Sequence, residues 1–580
     1  MKGDITTMSI KKLLFTAIAS LSLAQIAVAQ TDQPKPPNII VILGDDIGFN
    51  DIEPFGQTVI QTPELNKLAA EGMRFTNYHV HPTCSPTRAQ LMTGVDNHLA
   101  GMGAMGEYRT PEMDNYPGSY IGSLNEKTNT IAEALKENGY FTFITGKWHL
   151  GAKPEQLPEA RGFDKSYILI SAGGSHWDDS SLVAIHPKNK FSENGKIIPR
   201  DTGEYSSDLY TNKFISYIQE AEKLDKPFFG FLSFQAAHDP LHAPADFIKK
   251  YEGKFSAGYE KHREELFENM KRLGIVPKTS VMSPAAPMQK RWDELSPDEK
   301  KYQERLMEVY AAMVDNIDMN IGKVVAELKK SGAYDSTMIF YFHDNGPSPS
   351  YMDFYPGNAD GKWIAQEFDT SYENLGAPKS YAGVGPGWAA ASSAPFKLFK
   401  FFMTEGGTLS PMIVKGPAVS KPGSINDAFL GVEDIYPTIL ELANAERSET
   451  RNGIPLAPLK GVSFANVLQG KADSARPDNF ERGEELFNNK VYRMGKWKLS
   501  WLPKPFGEER WQLFDMDNDR TETRDLASQH PEIVEEMVKK YEVWAKEHNV
   551  LNWDSEFLAQ GLFNYFDWRK GLPTQIIIKD

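Results

Sequence analysis

Cysteine is all but missing from this chain. Cys84 is the only one in 580 residues, so no internal disulfide can form. Long apolar runs are scarce as well. Beyond the first thirty residues none reaches the ~20 apolar residues that a membrane span needs, so no stable insertion into a bilayer is expected. Positive charge is in deficit. A net charge of −15 argues against nucleic acid or an anionic membrane as partner. The same field repels an anionic substrate, so a site for one must be a local cluster of cations. At an effective dielectric of ~20, one charge pair ~4 Å apart is worth about 4 kcal/mol, enough for a few placed cations to outweigh the distant field. Internal repeats and low-complexity segments are lacking too. What remains, 41% hydrophobic and 24% charged residues, is ordinary for a globular protein.

Residues 1–29 read as a cleavable export signal. Lys11 and Lys12 form its basic part, Leu13 to Val28 its apolar part, and Ala27-Val28-Ala29 its cleavage site. The start is Met1 or Met8. An apolar run this short, interrupted by serines, favours cleavage over an anchor. The expected location is therefore periplasmic or secreted, and the lone thiol meets an oxidising compartment.

Four short apolar runs end in polar clusters. Asn38 to Leu43 leads to Gly44-Asp45-Asp46, Tyr140 to Ile144 to Gly146-Lys147-Trp148-His149, Phe228 to Phe234 to Ala236-Ala237-His238, and Met338 to Phe342 to His343-Asp344-Asn345-Gly346. Such runs suit strands buried on both faces of a mainly parallel sheet. Helical patterns alternate with them. Thr130-Ile131-Ala132-Glu133 is a capping box for a helix that stops at Gly139. Leu306, Tyr310, Met313, Ile317, Ile321, Val324 and Leu328 fall on one helical stripe. The fold class is α/β, with a large sheet flanked by helices. Ligands of such sheets bind beyond the carboxyl ends of the strands, so the four clusters point to one site.

Residues 36–472 read as the catalytic domain. Within it Gly253 to Asp298, charged and weakly periodic, reads as a surface excursion near the site. Residues 473–550 form a small α+β domain: short antiparallel strands around Val491–Met494, Trp497–Trp501 and Trp511–Phe514, then a helix from about Pro531 to Asn549. The tail, 551–580, carries Trp553, Phe557, Leu562, Phe563, Tyr565, Phe566 and Trp568, expected to pack on the protein's own core.

Three groups carry chemistry. Cys84 sits among polar Ser85, Thr87 and Arg88, with Pro86 suited to a first helical turn. A helix N-terminus there would favour an anion. The second group, Asp45-Asp46 with Asp344-Asn345, offers oxygen ligands at neighbouring strand ends, which suit a hard ion such as Ca²⁺ or Mg²⁺ rather than zinc. The third is cationic: Arg88, Lys147, His149, His238 and Lys400.

Taken in order, these motifs resemble the sulfatases. They are Gly44-Asp45-Asp46, Cys84 to Arg88, Gly146 to Gly151, Ala237-His238, Asp344-Asn345-Gly346, and Lys400 with Glu405-Gly406-Gly407. Bacterial arylsulfatases are the most similar group, as in Asp96 to Gly103 and Glu308 to Val314. The likeness runs from about Pro37 to Asn549 and leaves out the tail. One departure is His343, where the family has a small residue; as a neighbour of a ligand on a strand it should point away from the ion.

The resemblance implies an alkaline phosphatase-like fold and a sulfate-ester substrate, an aryl sulfate before a sugar sulfate. It implies that a formylglycine-generating enzyme converts Cys84 to formylglycine before folding. Asp45, Asp46, Asp344 and Asn345 would hold one Ca²⁺. The hydrated aldehyde would attack sulfur, giving a covalent sulfated intermediate and a free alcohol or phenol. Lys400 and His238 would bind sulfate, His238 would protonate the leaving oxygen, and Arg88, Lys147 and His149 would orient the hydrate. Two rivals remain at this point. A phosphate or phosphonate ester hydrolase of the same superfamily is disfavoured by Asn345, where two-metal relatives carry histidine. A non-catalytic binder of sulfated glycans is disfavoured because every catalytic position is filled. Loops such as Gly173 to Trp177 and Gly253 to Asp298 would choose the ester.

Overall fold

The four apolar runs are four adjacent strands. The computed structural model describes residues 35–553 apart from 201–202, 288, 352–354, 356–357 and 359–360. Residues 1–34, where an export signal is expected, and the tail beyond Trp553 lie outside the described residues. The main sheet has eleven strands: β1 (Asn38–Gly44), β2 (Met73–His79), β3 (Phe141–Lys147), β4 (Lys165–Leu169), β5 (Phe191–Glu193), β6 (Lys196–Ile198), β7 (Phe228–Ser233), β8 (Thr337–His343), β9 (Leu409–Lys415), β10 (Ile425–Asn426) and β11 (Leu430–Gly431). Their order is β10-β2-β9-β8-β1-β7-β3-β4-β5-β6, with β11 also on β2.

The central run β8-β1-β7-β3-β4 is wholly parallel, while β9, β5 and β6 enter antiparallel. Successive residues of β1 pack into opposite cores: Ile39, Val41 and Leu43 into one, Ile40 and Ile42 into the other. Burial on both faces is why these runs carry no polar alternation. Register then aligns the strand ends. Gly44 pairs with His343, Leu43 with Ser233, and Ser233 with Gly146. Residues just past β1, β3, β7 and β8 therefore emerge side by side. Gly146 is needed for this: its φ is +102°, and a Cβ there would lie 1.8 Å from the Ser233 carbonyl oxygen.

Helices cover both faces. The capping box forms as read, with Thr130 Oγ1 accepting the Glu133 N–H at 3.0 Å and Glu133 Oε2 accepting the Thr130 N–H at 2.7 Å. The long stripe is the helix Pro297–Ser331, begun by a Ser296–Glu299 capping box and ended at Gly332 in the left-handed region. Among the described residues no helix is long and apolar enough to cross a membrane.

Gly253 to Asp298 departs from the sequence reading. It is no irregular excursion, because it contains the helix Tyr259–Leu273, whose Leu266, Phe267 and Met270 are buried. Tyr259 packs on Gly387 of the helix Gly385–Ser392, and Trp388 of that helix meets Tyr259, His262 and Trp292 edge-on. Charged Glu260, Lys261, Glu264, Glu265, Glu268 and Lys271 fill the outward face and hide the apolar period.

The C-terminal sheet is antiparallel, as expected: β12 (Glu481–Leu486), β13 (Asn489–Met494), β14 (Trp497–Trp501) and β15 (Trp511–Asp515), covered by the helix Pro531–Glu547. Met537 and Tyr541 of that helix close on Tyr492, Leu499 and Leu513. Trp553, the one described residue among the tail aromatics, is buried and meets Phe487 edge-on.

Buried ion pairs tie this sheet to the body. Lys498 lies 2.8 Å from Glu405 and 2.9 Å from Glu522. Burial works against its charge, yet the two carboxylates hold its pKa above the ordinary value. Lys498→Ala would leave both carboxylates enclosed without their shared cation. A loss of about 3–5 kcal/mol in stability is expected, measured by denaturant unfolding; an unchanged midpoint would show that solvent reaches the cluster.

Candidate active site

Cys84 opens the helix Cys84–Thr93 and is fully buried, with Sγ 3.5 Å from Asp45 Oδ1. The sequence reading looked for an anion there. Burial first and Asp344 second push the thiol well above its ordinary pKa. Beside it the carboxylates and cations are interleaved. Lys147 Nζ donates to Asp45 Oδ2 at 2.6 Å. Lys400 Nζ donates to both oxygens of Asp46, at 2.7 and 2.8 Å. Arg88 donates from Nε and Nη2 to Asp344 Oδ2, at 3.1 and 2.9 Å, and from Nη1 to Ser233 Oγ at 2.6 Å.

Asn345 donates through Nδ2 to Asp46 Oδ1 at 2.6 Å, while its Oδ1 is buried without a partner. His343 turns away, with Nε2 2.9 Å from Tyr341 Oη. One atom each of Asp45, Asp46, Cys84 and His238 lies within 4.8 Å of the others. A hard cation suits the oxygen atoms gathered here. Asn345 Oδ1 has no donor, Asp344 Oδ1 receives only a long 3.4 Å contact from the Asp46 N–H, and Asp45 Oδ1 faces only the thiol. Burial, and then Asp344, push the Asp45 carboxyl up to about 7. The Asp45 carboxylate would be stabilised by further positive charge beside it.

The two histidines have different partners. His238 Nδ1 sits 3.0 Å from the Asp239 carbonyl oxygen, and its Nε2 3.5 Å from Asp46 Oδ2. Burial, then Lys400 and Lys147, drive it well below its ordinary pKa, so the ring is neutral at rest. His149, at φ +56°, places Nε2 3.0 and 3.2 Å from the two Glu107 oxygens.

Cys84, His149, His238 and Lys400 line a single cavity of about 400 Å³. Arg88 and Lys147 stand behind it, wholly enclosed. Met105, Tyr108, Ile170, Leu182, Val183 and Phe401 contribute apolar walls. Gly173 reaches this lining, as read from the sequence, whereas Gly253 to Asp298 does not.

The family model for sulfatases matches residues 37–445. This chain belongs to the sulfatase family. The sulfatase is 37% identical over 545 residues to an uncharacterized sulfatase of Schizosaccharomyces pombe, covering 92% of this chain and 98% of the relative. It is 34% identical over 467 residues to an arylsulfatase of Klebsiella aerogenes, covering 79% and 98%. Of the solved structures, Ps i-CgsB in complex with k-i-k-neocarrahexaose aligns at a TM-score of 0.63 and 23% identity, covering 92% and 100%. A phosphonate monoester hydrolase of Agrobacterium radiobacter aligns at 0.53 and 17%, covering 88% and 96%. Both likenesses are of fold. The sulfatase is thus a hydrolase of the sulfuric ester class.

Sequence reasoning missed Glu107 and Tyr355, which also line the cavity. Tyr355 donates to Asp239 Oδ2 at 2.8 Å. Only the position of Glu107, directly after the glycine-rich stretch Gly101 to Gly106, hinted at it.

Proposed function

We propose that this sulfatase hydrolyses aryl sulfate monoesters to a phenol and inorganic sulfate, using a formylglycine made from Cys84 and one Ca²⁺. Asp45, Asp46, Asp344 and Asn345 would hold the ion, which when bound would draw charge from the sulfuryl oxygens. Residue 84, once converted, would supply a hydrated aldehyde with one hydroxyl to attack sulfur and a second to expel sulfate. Burial of Cys84 supports conversion before folding by a formylglycine-generating enzyme, since no modifying enzyme reaches a side chain so enclosed. An export signal over residues 1–29 would send the product to the periplasm or medium.

The chain's own groups divide the work. Asp45, Asp46 and Asp344 are matched one for one by Lys147, Lys400 and Arg88, so a divalent ion leaves net positive charge for an anionic ester. Lys400, on the cavity lining, would bind a sulfuryl oxygen. Arg88 and Lys147 would hold the carboxylates in place and, with His149, orient residue 84. His238 would give a proton from Nε2 to the leaving oxygen. The ester's negative charge would raise its pKa at the moment of need.

The apolar wall carries the choice of an aryl ester. A phenyl ring asks nothing of Met105, Ile170, Leu182, Val183 and Phe401. A sugar would leave hydroxyls unpaired there, at about 1–3 kcal/mol each. Two of the polar lining residues are engaged with the lining itself: Ser171 Oγ donates to Asn189 Oδ1 at 2.6 Å, and Asn189 Nδ2 to the Gly173 carbonyl at 3.0 Å. An aryl sulfate should therefore exceed a sulfated monosaccharide and a matched aryl phosphate in kcat/KM by about 10²-fold or more. A faster sugar sulfate would make this a carbohydrate sulfatase, and a faster phosphate would make it a phosphoester hydrolase.

A further inference from the structure

Glu107 has no part in the reading above, yet it lines the same cavity as Cys84 and touches His149. It occupies the short turn Gly106–Tyr108, and its side chain is 32% exposed where it meets His149. His149 is held at its backbone and at one ring nitrogen. Its backbone N–H donates to the Ile170 carbonyl at 3.2 Å, its φ is +56°, and both Glu107 oxygens face Nε2 at 3.0 and 3.2 Å. The remaining ring nitrogen, Nδ1, is buried without a partner. A non-glycine residue kept in the left-handed region costs about 1–3 kcal/mol, and such strain persists where surrounding structure holds it for a purpose.

We propose that Glu107 is a positioning residue: it fixes the tautomer of His149, taking the Nε2–H and leaving the Nδ1 lone pair for the hydroxyl of residue 84 or for the ester. The logic is that of a carboxylate behind a catalytic histidine, where the second nitrogen's hydrogen bond decides which nitrogen carries the proton. The surrounding charges agree with it. Burial, then Lys147 and Arg88, keep the imidazole below its ordinary pKa despite Glu107. Burial alone would raise the Glu107 carboxyl, but His149 draws it below its ordinary range. In this proposal the pair is a neutral ring donating to an ionised carboxylate. Without Glu107 the neutral ring would be free to carry its proton on Nδ1, presenting a donor where an acceptor is wanted.

The proposal rests on His149 serving residue 84, and the experiment separates the two. Glu107→Gln, His149→Ala and the double variant are prepared as mature, metal-loaded enzyme, with conversion at residue 84 matched by mass spectrometry. In Glu107→Gln, kcat on an aryl sulfate should fall about 10–100-fold with KM within about twofold and an unchanged Tm. Glu107→Asp, which keeps the charge at shorter reach, should recover part of that loss. Adding Glu107→Gln to His149→Ala should cost nothing further, because a residue that acts through another has no effect once the other is gone. Wild-type kcat in Glu107→Gln, with His149→Ala impaired, would overturn the proposal. So would a loss of equal size in both backgrounds. Full kcat in His149→Ala would instead remove the role of His149 on which the proposal stands.

Discussion

Asp344→Asn should fold, lose its bound cation and turn over sulfate esters about 10³-fold more slowly. A metal acting on the transferring group supplies several kcal/mol, and each 1.36 kcal/mol is tenfold in rate. Asparagine is the right substitution because of Arg88. Asp344 Oδ2 takes two hydrogen bonds from that guanidinium, which is wholly enclosed. The amide keeps an acceptor for Arg88 and removes the charge a hard ion needs. Asp344→Ala, by contrast, strips a buried arginine of its nearest carboxylate, at about 3–5 kcal/mol, and would confuse unfolding with lost catalysis. Metal content, Tm and kcat are read on the same preparation, beside wild-type enzyme chelated to exhaustion and then given Ca²⁺. Chelated wild type should lose activity and regain it. Undiminished turnover in protein verified as metal-free would end the case for a catalytic ion.

Much of this site was legible before any coordinates. A strand buried on both faces announces itself as an unbroken apolar run, and β1, β3, β7 and β8 each end where a polar cluster begins. Parallel register does the rest, since it sets those ends level, as with Gly44 beside His343. The residues that escaped notice are those whose placement depends on packing rather than on a period. Glu107 sits on a turn of three residues, and no periodicity aims a turn. The helix Tyr259–Leu273 hid because charged residues outnumber apolar ones along it, although Tyr259, Leu266, Phe267 and Met270 do share its buried face. Electrostatics misled in one place. A helix N-terminus favours an anion in general, but at Cys84 desolvation and the carboxylate of Asp344 raise the thiol pKa.

Cys84→Ser should fold and bind an aryl sulfate, yet lose about 10⁴-fold or more in multiple turnover, as enzymes do when a nucleophile is removed. Serine nearly reproduces the size of cysteine in this enclosed position, so packing is preserved. What it lacks is the second hydroxyl. A sulfated serine has no oxygen on the same carbon from which a lost proton could expel sulfate, so at most one sulfuryl group per chain would be taken up. Unmodified cysteine should fail for a different reason: its thiol is buried and its thiolate is disfavoured.

The central claim is that the working residue at position 84 is no longer cysteine. Its most direct test is mass spectrometry of peptides spanning Tyr78 to Arg88, on preparations made with and without a formylglycine-generating enzyme and assayed in parallel for aryl sulfate turnover. The aldehyde or its hydrate should be found at residue 84, and kcat per chain should rise in proportion to the converted fraction, reaching zero where none is converted. Normal multiple turnover from a preparation whose residue 84 is entirely unmodified cysteine would contradict the account.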